Sequence, residues 1–457
     1  MRNKLLILTY FSILSCQAQY LNRTNITVTE NGNSILNPWS GGLNSCQFSE
    51  IDLNQDGKND LFVFDRVGNR IIPFLNEGTS GIINFTYAPQ YINNFPEIKN
   101  WAILLDYNCD NKADIFTYNG GAISVYKNNS STNNLQFDLE EEILTSDYGS
   151  TITFIKVLYS DIPAILDVDN DGDIDILTFE PNNGGYIEFH KNLSQEQNNN
   201  CNNLTFELES NCWGDFFEGL NTYEFNACST TESISNNQQR SGAHAGSSCL
   251  ALDMDGDGDK DMVLGDISYN NLNLLYNSGT IEEAHMTSVE QNFPIGSGSI
   301  VGGDINSFPA AFYIDVNNDN VRDLVVSPNI DNNSENTESI KLFINNGQDD
   351  VPDFNYYQNN FLQDNTIDFG SGAYPAVFDY NNDGLKDLLV GNYGYYNSGN
   401  HIGQLTLFKN TGNSNNPVFE IVDRDFGGLS MIPLDLQTNM PVSGITPTLA
   451  DLDNDGD

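Results

Sequence analysis

Positive charge is what this sequence has least of. Eighteen Lys and Arg stand against 63 Asp and Glu, giving a formal net charge of −45. Phosphate backbones are bound by basic faces, so nucleic acid is a poor partner for this chain, and an anionic membrane surface is disfavoured for the same reason. Histidine is almost as scarce, with four scattered residues, and no C-x-x-C pair occurs among the seven cysteines, which leaves zinc without its usual donors. No apolar run is long enough to form a transmembrane segment. Helical periodicity with caps is missing beyond the N-terminal leader. An anionic, helix-poor chain of 457 residues has room for two or three ordinary domains or one large repeat domain.

The acidic residues are concentrated. Asp167, Asp169, Asp171, Gly172 and Asp175 follow the pattern D-x-D-x-D-G-x-x-D. Carboxylates alternating along a tight loop converge on one hard cation. Calcium, which takes about six to eight oxygens in irregular geometry, suits such a loop. The pattern occurs seven times, beginning at residues 52, 106, 167, 253, 315, 379 and 451. The other copies are Asp52, Asn54, Asp56 and Asp60; Asp106, Asn108, Asp110 and Asp114; Asp253, Asp255, Asp257 and Asp261; Asp315, Asn317, Asp319 and Asp323; Asp379, Asn381, Asp383 and Asp387. The last is Asp451, Asp453 and Asp455, cut before its ninth position. A period of 54 to 86 residues with insertions is what a repeat architecture leaves in sequence.

Each interval repeats one strand pattern. In the sixth, 373–378 leads into the loop, 388–391 leaves it, and 404–410 and 417–422 alternate apolar and polar residues about a Thr-Gly turn. Segments 70–76, 122–128, 186–192 and 272–277 match its third strand, and 83–87, 135–139 and 204–208 its fourth. Four short strands per repeat predict an all-β fold, a β-propeller of four-stranded blades over 46–457, with six full repeats and the opening of a seventh. Residues 19–45 form a polar lead-in whose strand-like 25–29 is expected to supply a closing strand.

Residues 1–18 read as a signal peptide: a charged start, an apolar run over 5–14 and a small-residue cleavage site after Ala18. The alternative is a lipoprotein leader ending at Cys16. Either predicts a secreted or cell-surface protein. Beyond the leader stand Cys46, Cys109, Cys201, Cys212, Cys228 and Cys249, an even number that permits disulfides in an exported chain. The last four gather about an Asn-rich insertion at 194–248, where bridges would hold a segment with little core of its own.

Pro-Ala-x-x-Asp before the calcium loop, Asp-Leu-Leu-Val-Gly after it and a strand ending Lys-Asn-Thr-Gly resemble the FG-GAP or VCBS-type repeat, to which integrin α-subunit propellers are related. The resemblance spans 45–457 and implies a calcium-binding propeller, commonly seven-bladed, used for adhesion or ligand binding. It implies ligands at positions 1, 3, 5 and 9 of each loop and a backbone carbonyl at position 7, contributed by Lys58, Lys112, Asp173, Asp259, Val321 and Leu385. Two loops depart from the pattern, with Asn111 and Asn320 replacing the sixth-position glycine. The leader and the Asn-rich composition also resemble exported proteins of Bacteroidota, among them type IX secretion substrates. An EF-hand shares the opening D-x-D-x-D-G but needs Glu at position 12, where Val63, Thr178, Leu264, Val326 and Val390 stand inside apolar strands.

Catalysis has a weaker claim. Paired carboxylates serve glycosidases, but a site repeated seven times is a poor candidate for one active centre. His244 has no evident Ser or Asp partner, His190 and His401 are expected at the surface, and residues 140–142 read as a solvated strand end. The expectation is a non-enzymatic module that binds calcium and an extracellular protein or carbohydrate ligand. The competing reading is the propeller part of a larger polysaccharide-degrading enzyme.

Overall fold

The computed structural model describes residues 25–450 apart from 133, 181–184, 229–245, 331–332, 398 and 436–439. The leader with Cys16, the loop of Asp451, Asp453 and Asp455, and His244 lie outside the described residues.

The fold is all-β and built from six four-stranded antiparallel meanders. The first sheet comprises Cys46–Ile51, Asp60–Asp65, Arg70–Asn76 and Phe85–Tyr87. The second comprises Ala102–Leu105, Asp114–Asn119, Ala122–Asn128 and Phe137–Glu141, and the third Ala164–Leu166, Asp175–Phe179, Ile187–Asn192 and Phe206–Ser210. The fourth runs through Ser247–Leu252, Asp261–Asp266, Leu272–Asn277 and Met286–Gln291, the fifth through Pro309–Ile314, Asp323–Pro328, Lys341–Asn345 and Phe354–Gln358. The sixth holds Tyr374–Phe378, Asp387–Gly391, Leu405–Asn410 and Phe419–Asp423. Strands this apolar need cover on both faces. Asp60–Asp65 and Asp323–Pro328 are buried at every position, and separate apolar clusters fill the spaces between first and second, third and fourth, and fourth and fifth sheets.

The first strands of five sheets stand side by side. Cys46–Ile51 lies between Ala102–Leu105 and Pro309–Ile314, and Ser247–Leu252 between Ala164–Leu166 and Pro309–Ile314. An edge strand leaves backbone groups unpaired, and polar side chains on the neighbours satisfy them here. The Ala102 N–H donates to Gln47, the Leu104 N–H to the Ser49 hydroxyl and the Cys46 N–H to the Ser327 hydroxyl. These five strands surround a cavity of about 790 Å³, with Phe48, Ile103, Ile165, Leu250 and Phe312 on its wall. At the strand ends away from the acidic loops, Arg66 ties three segments together, donating to the Tyr159 carbonyl and to Asn329. The first strand of the sixth sheet is different: Tyr374–Phe378 does not line the cavity, and Tyr374 and Val377 are exposed.

The lead-in adds Val28–Glu30 in parallel to the outer strand Phe419–Asp423, and Arg424 grips Glu30 through two bonds of 2.6 and 2.8 Å. Its strand therefore extends the outer edge of the sixth sheet and does not approach the cavity. A second extension, Thr145–Asp147 with Ile152–Phe154, covers the outer edge of the third sheet. It also overturns the surface expectation for His190, which is fully buried with Nδ1 3.0 Å from the Ser146 hydroxyl.

The cysteines depart from the expected grouping. Cys212–Cys228 lies within the insertion, but Cys201 reaches out to Cys109 in the second acidic loop, 92 residues earlier. Cys46 and Cys249 are buried free thiols on first strands. The insertion also has a core, since Trp213 and Phe216 pack with Leu177, Leu264 and Met286 between the third and fourth sheets.

Candidate functional site

All six described acidic loops join the first strand of a sheet to its second, so they emerge at the same end of every meander. Their backbone needs left-handed angles twice. Position six takes them at Gly57, Asn111, Gly172, Gly258, Asn320 and Gly384, with φ between +62° and +100°. Asn111 and Asn320 therefore substitute for glycine by adopting its conformation, which Asn tolerates better than most residues. Position four takes them too, at Gln55, Cys109, Asn170, Gly256, Asn318 and Asn382, a requirement the sequence pattern conceals because four residue types fill it.

Carboxylates organise each loop from within. In all six, the second oxygen of the first Asp accepts the N–H of position six at 2.6–3.1 Å. The Asp at position five accepts the N–H of position seven at 2.9–3.1 Å. Asp56, Asp110 and Asp383 thereby stay at the exposed tip, where the second oxygens of Asp56 and Asp383 also accept the side-chain amides of Asn54 and Asn381, and Asp319 is half-buried.

The ninth position does more than its assignment as a ligand implies. Asp60, Asp114, Asp175, Asp261, Asp323 and Asp387 are each at most 1% exposed. One oxygen accepts the N–H of loop position two at 2.9–3.2 Å. The other accepts, at 2.7–2.9 Å, the N–H of an asparagine that ends the third strand: Asn76, Asn128, Asn192, Asn277, Asn345 or Asn410. That asparagine returns its side-chain amide to the carbonyl of loop position eight at 2.8–3.3 Å. Each loop is thus bracketed to its own sheet by an Asp–Asn pair. The asparagine was visible at the end of every quoted third strand, but nothing in a one-dimensional pattern pairs it with an aspartate 14 to 23 residues earlier.

These brackets carry an electrostatic cost. Burial pushes the Asp60 carboxyl up to about 6, those of Asp114, Asp261 and Asp323 to about 7 and that of Asp175 to about 8, and the acidic loop neighbours push the same way. Burial also raises Asp173 to about 7 and Asp259 to about 6, again with loop carboxylates adding. A cation among these oxygens reverses the balance, because it favours every ionised form at once.

The residues fit such an ion. In the third and fourth loops, Asp167, Asp169 and Asp175, and Asp253, Asp255 and Asp257, each bring carboxylate oxygens within 4.8 Å of one another. Two oxygens each about 2.4 Å from one calcium ion are at most about 4.8 Å apart. Asp173 Oδ1, Asp259 Oδ1 and Asn317 Oδ1 are buried acceptors that receive no hydrogen bond, and an oxygen-seeking cation is the partner such atoms lack. The lysines at position seven point elsewhere: the Lys58 and Lys112 ammonium groups donate to the Gly78 and Ser130 carbonyls of the outer turns.

Position four links neighbouring sheets. Gln55 donates to the Ser131 carbonyl in the outer turn of the second sheet, and Asn318 accepts from Asn76 of the first. Cys109 occupies the same position in the second loop, and its disulfide to Cys201 replaces this hydrogen bond with a covalent one. Asp52, Gln55, Asp106 and Asp110, with Glu50, Lys112 and Arg322, flank the loop end of the central cavity.

No protein-family model matches the chain, and no curated protein is similar to it in sequence. Among solved structures, one likeness is to an Agrocybe aegerita lectin that recognises non-reducing terminal N-acetylglucosamine, at 14% identity and a TM-score of 0.28, covering 89% of this chain and 86% of that one. A score this low carries no argument about the present chain.

Proposed function

We propose that the chain is an exported, calcium-stabilised β-propeller module of the FG-GAP or VCBS type that binds an extracellular protein or carbohydrate and catalyses no reaction of its own. The observation that carries this is one loop geometry built six times at the same end of six meanders, with buried oxygens left unpaired in three of the loops. Calcium would be held by Asp52, Asn54 and Asp56 and their counterparts, with the ninth-position Asp shared between ion and bracket. The ion supplies the positive charge that lets these carboxylates ionise together, so its binding energy adds to folding stability. The partner site is the loop face, where the stiffened rim meets the mouth of the cavity lined by Phe48, Ile103 and Phe312. Two disulfides suit an oxidising, extracellular setting, and no described helix is long and apolar enough to cross a membrane.

Thermal melts in calcium, in magnesium and after EGTA treatment test this. The expected result is a fall in Tm on chelation, restored by calcium and poorly by magnesium, which dehydrates reluctantly and demands tighter octahedral geometry. Indifference to all three conditions would sink the calcium role.

A further inference from the structure

The outer turn of the third sheet is longer than its counterparts. In the first, second, fourth, fifth and sixth sheets this turn spans residues 77–84, 129–136, 278–285, 346–353 and 411–418, whereas in the third it spans 193–205. The extra residues form the short helix Ser194–Asn198. It carries Glu196 over the third acidic loop, and Cys201, just beyond it, is tied to Cys109.

Glu196 meets two loop carboxylates there. Oxygens of Asp169, Asp171 and Glu196 lie within 4.8 Å of one another, and Asp169 also belongs to the cluster with Asp167 and Asp175. The Lys191 ammonium sits among them, bonded to Asp169, 2.5 Å from Glu196 and 3.4 Å from Asp171. Three carboxylates against one ammonium leave two negative charges uncompensated. The ammonium is engaged closely by Asp169 and Glu196 and only at longer range by Asp171. Asp173 is only 1% exposed beside the same acids. Its Oδ2 accepts the Gln195 N–H at 2.8 Å, and its Oδ1 has no partner.

We propose that Asp169, Asp171 and Glu196, backed by Asp173, form a second divalent-cation position in the third repeat, for which the Lys191 ammonium competes. The proposal rests on the calcium reading of the loops and extends it. Lys191 ends on a side chain 20% exposed, so it can swing to solvent when an ion enters. A divalent ion compensates more of the charge than lysine does and accepts coordination from the oxygen that lysine leaves unpaired. Sharing Asp169 and Asp171 places the two ions next to one another, and the Cys109–Cys201 bridge holds the turn that carries Glu196 in place.

Calcium ions bound at saturation are counted by equilibrium dialysis on the full chain, with folding followed by circular dichroism. Lys191→Met is expected to bind one ion more than wild type at submillimolar calcium, and Lys191→Met/Glu196→Gln to return to the wild-type count. A folded Lys191→Met protein with an unchanged or lower count overturns the proposal while leaving the loop calcium reading intact. Conversely, a wild type that binds none while Lys191→Met binds one supports this position and sinks the general reading. Should Lys191→Met not fold, Glu196→Gln alone carries the test at several millimolar calcium, where displacement of lysine predicts one ion fewer than wild type and an equal count refutes it.

Discussion

Replacing Asp323 by Ala separates bracket from ligand. Asp323 is fully buried, and its two oxygens accept the N–H groups of Val316 at 3.2 Å and Asn345 at 2.9 Å. Val316 and Asn345 are themselves buried, so truncation leaves two backbone donors that water does not reach. Each unsatisfied buried donor costs about 1–3 kcal/mol, which predicts a loss of about 2–6 kcal/mol. Because this cost arises without any ion, it should persist in EGTA. Asp319, at the half-buried fifth position, accepts the Val321 N–H at 2.9 Å. Water can replace it, so Asp319→Ala should cost less than about 1 kcal/mol in EGTA. In calcium the order of effects changes: Asp319→Ala should lose much of its loop's stabilisation by the ion. Urea unfolding of both variants with and without calcium gives the four numbers. If Asp323→Ala in EGTA falls within 1 kcal/mol of wild type, or Asp319→Ala costs as much as Asp323→Ala there, the assignment of the ninth position as a structural bracket is wrong.

Three further predictions concern Asp368 and the cysteines. Asp368 is 7% exposed, one of its oxygens accepts the Gly370 N–H, the other has no partner, and burial pushes its carboxyl up to about 7, with Asp65 adding and Arg70 and Arg424 opposing. The native state therefore holds a proton that the unfolded chain releases near pH 4. Its contribution to stability is complete below that pH and fades as pH rises through about 7. Asp368→Asn should accordingly stabilise the protein at pH 8, by about 4 kcal/mol at most, and bring little at pH 4; equal effects at both pH values in denaturant titrations would refute the cause. The cysteine pairing predicts that alkylation in denaturant without reductant modifies Cys46 and Cys249 but spares Cys109 and Cys201. Cys109→Ser should lower stability by about 2–5 kcal/mol, since the bridge closes a span of 92 residues. Labelling of Cys109 in the oxidised protein would count against the bridge.

The pattern of residues determined the repeat, the strands and the loop. Segments 70–76, 122–128 and 272–277, read from alternation and turn residues alone, coincide with observed third strands, because a strand covered on both faces must keep apolar residues in register over its whole length. The acidic positions were legible for a related reason: a loop that folds around its own carboxylates needs them at fixed spacing, and local spacing is what a sequence records. The tertiary structure decided what depends on other segments. Asp60 and Asn76 form one bracket only because two strands pair. Cys109 meets Cys201 only because the second loop abuts the third sheet's outer turn. His190 is buried because Thr145–Asp147 adds to the edge of its sheet. Glu196 joins the third loop through an extended turn whose composition reads merely as polar. Contacts across sheets are set by how apolar faces pack, and packing joins residues that the sequence holds far apart.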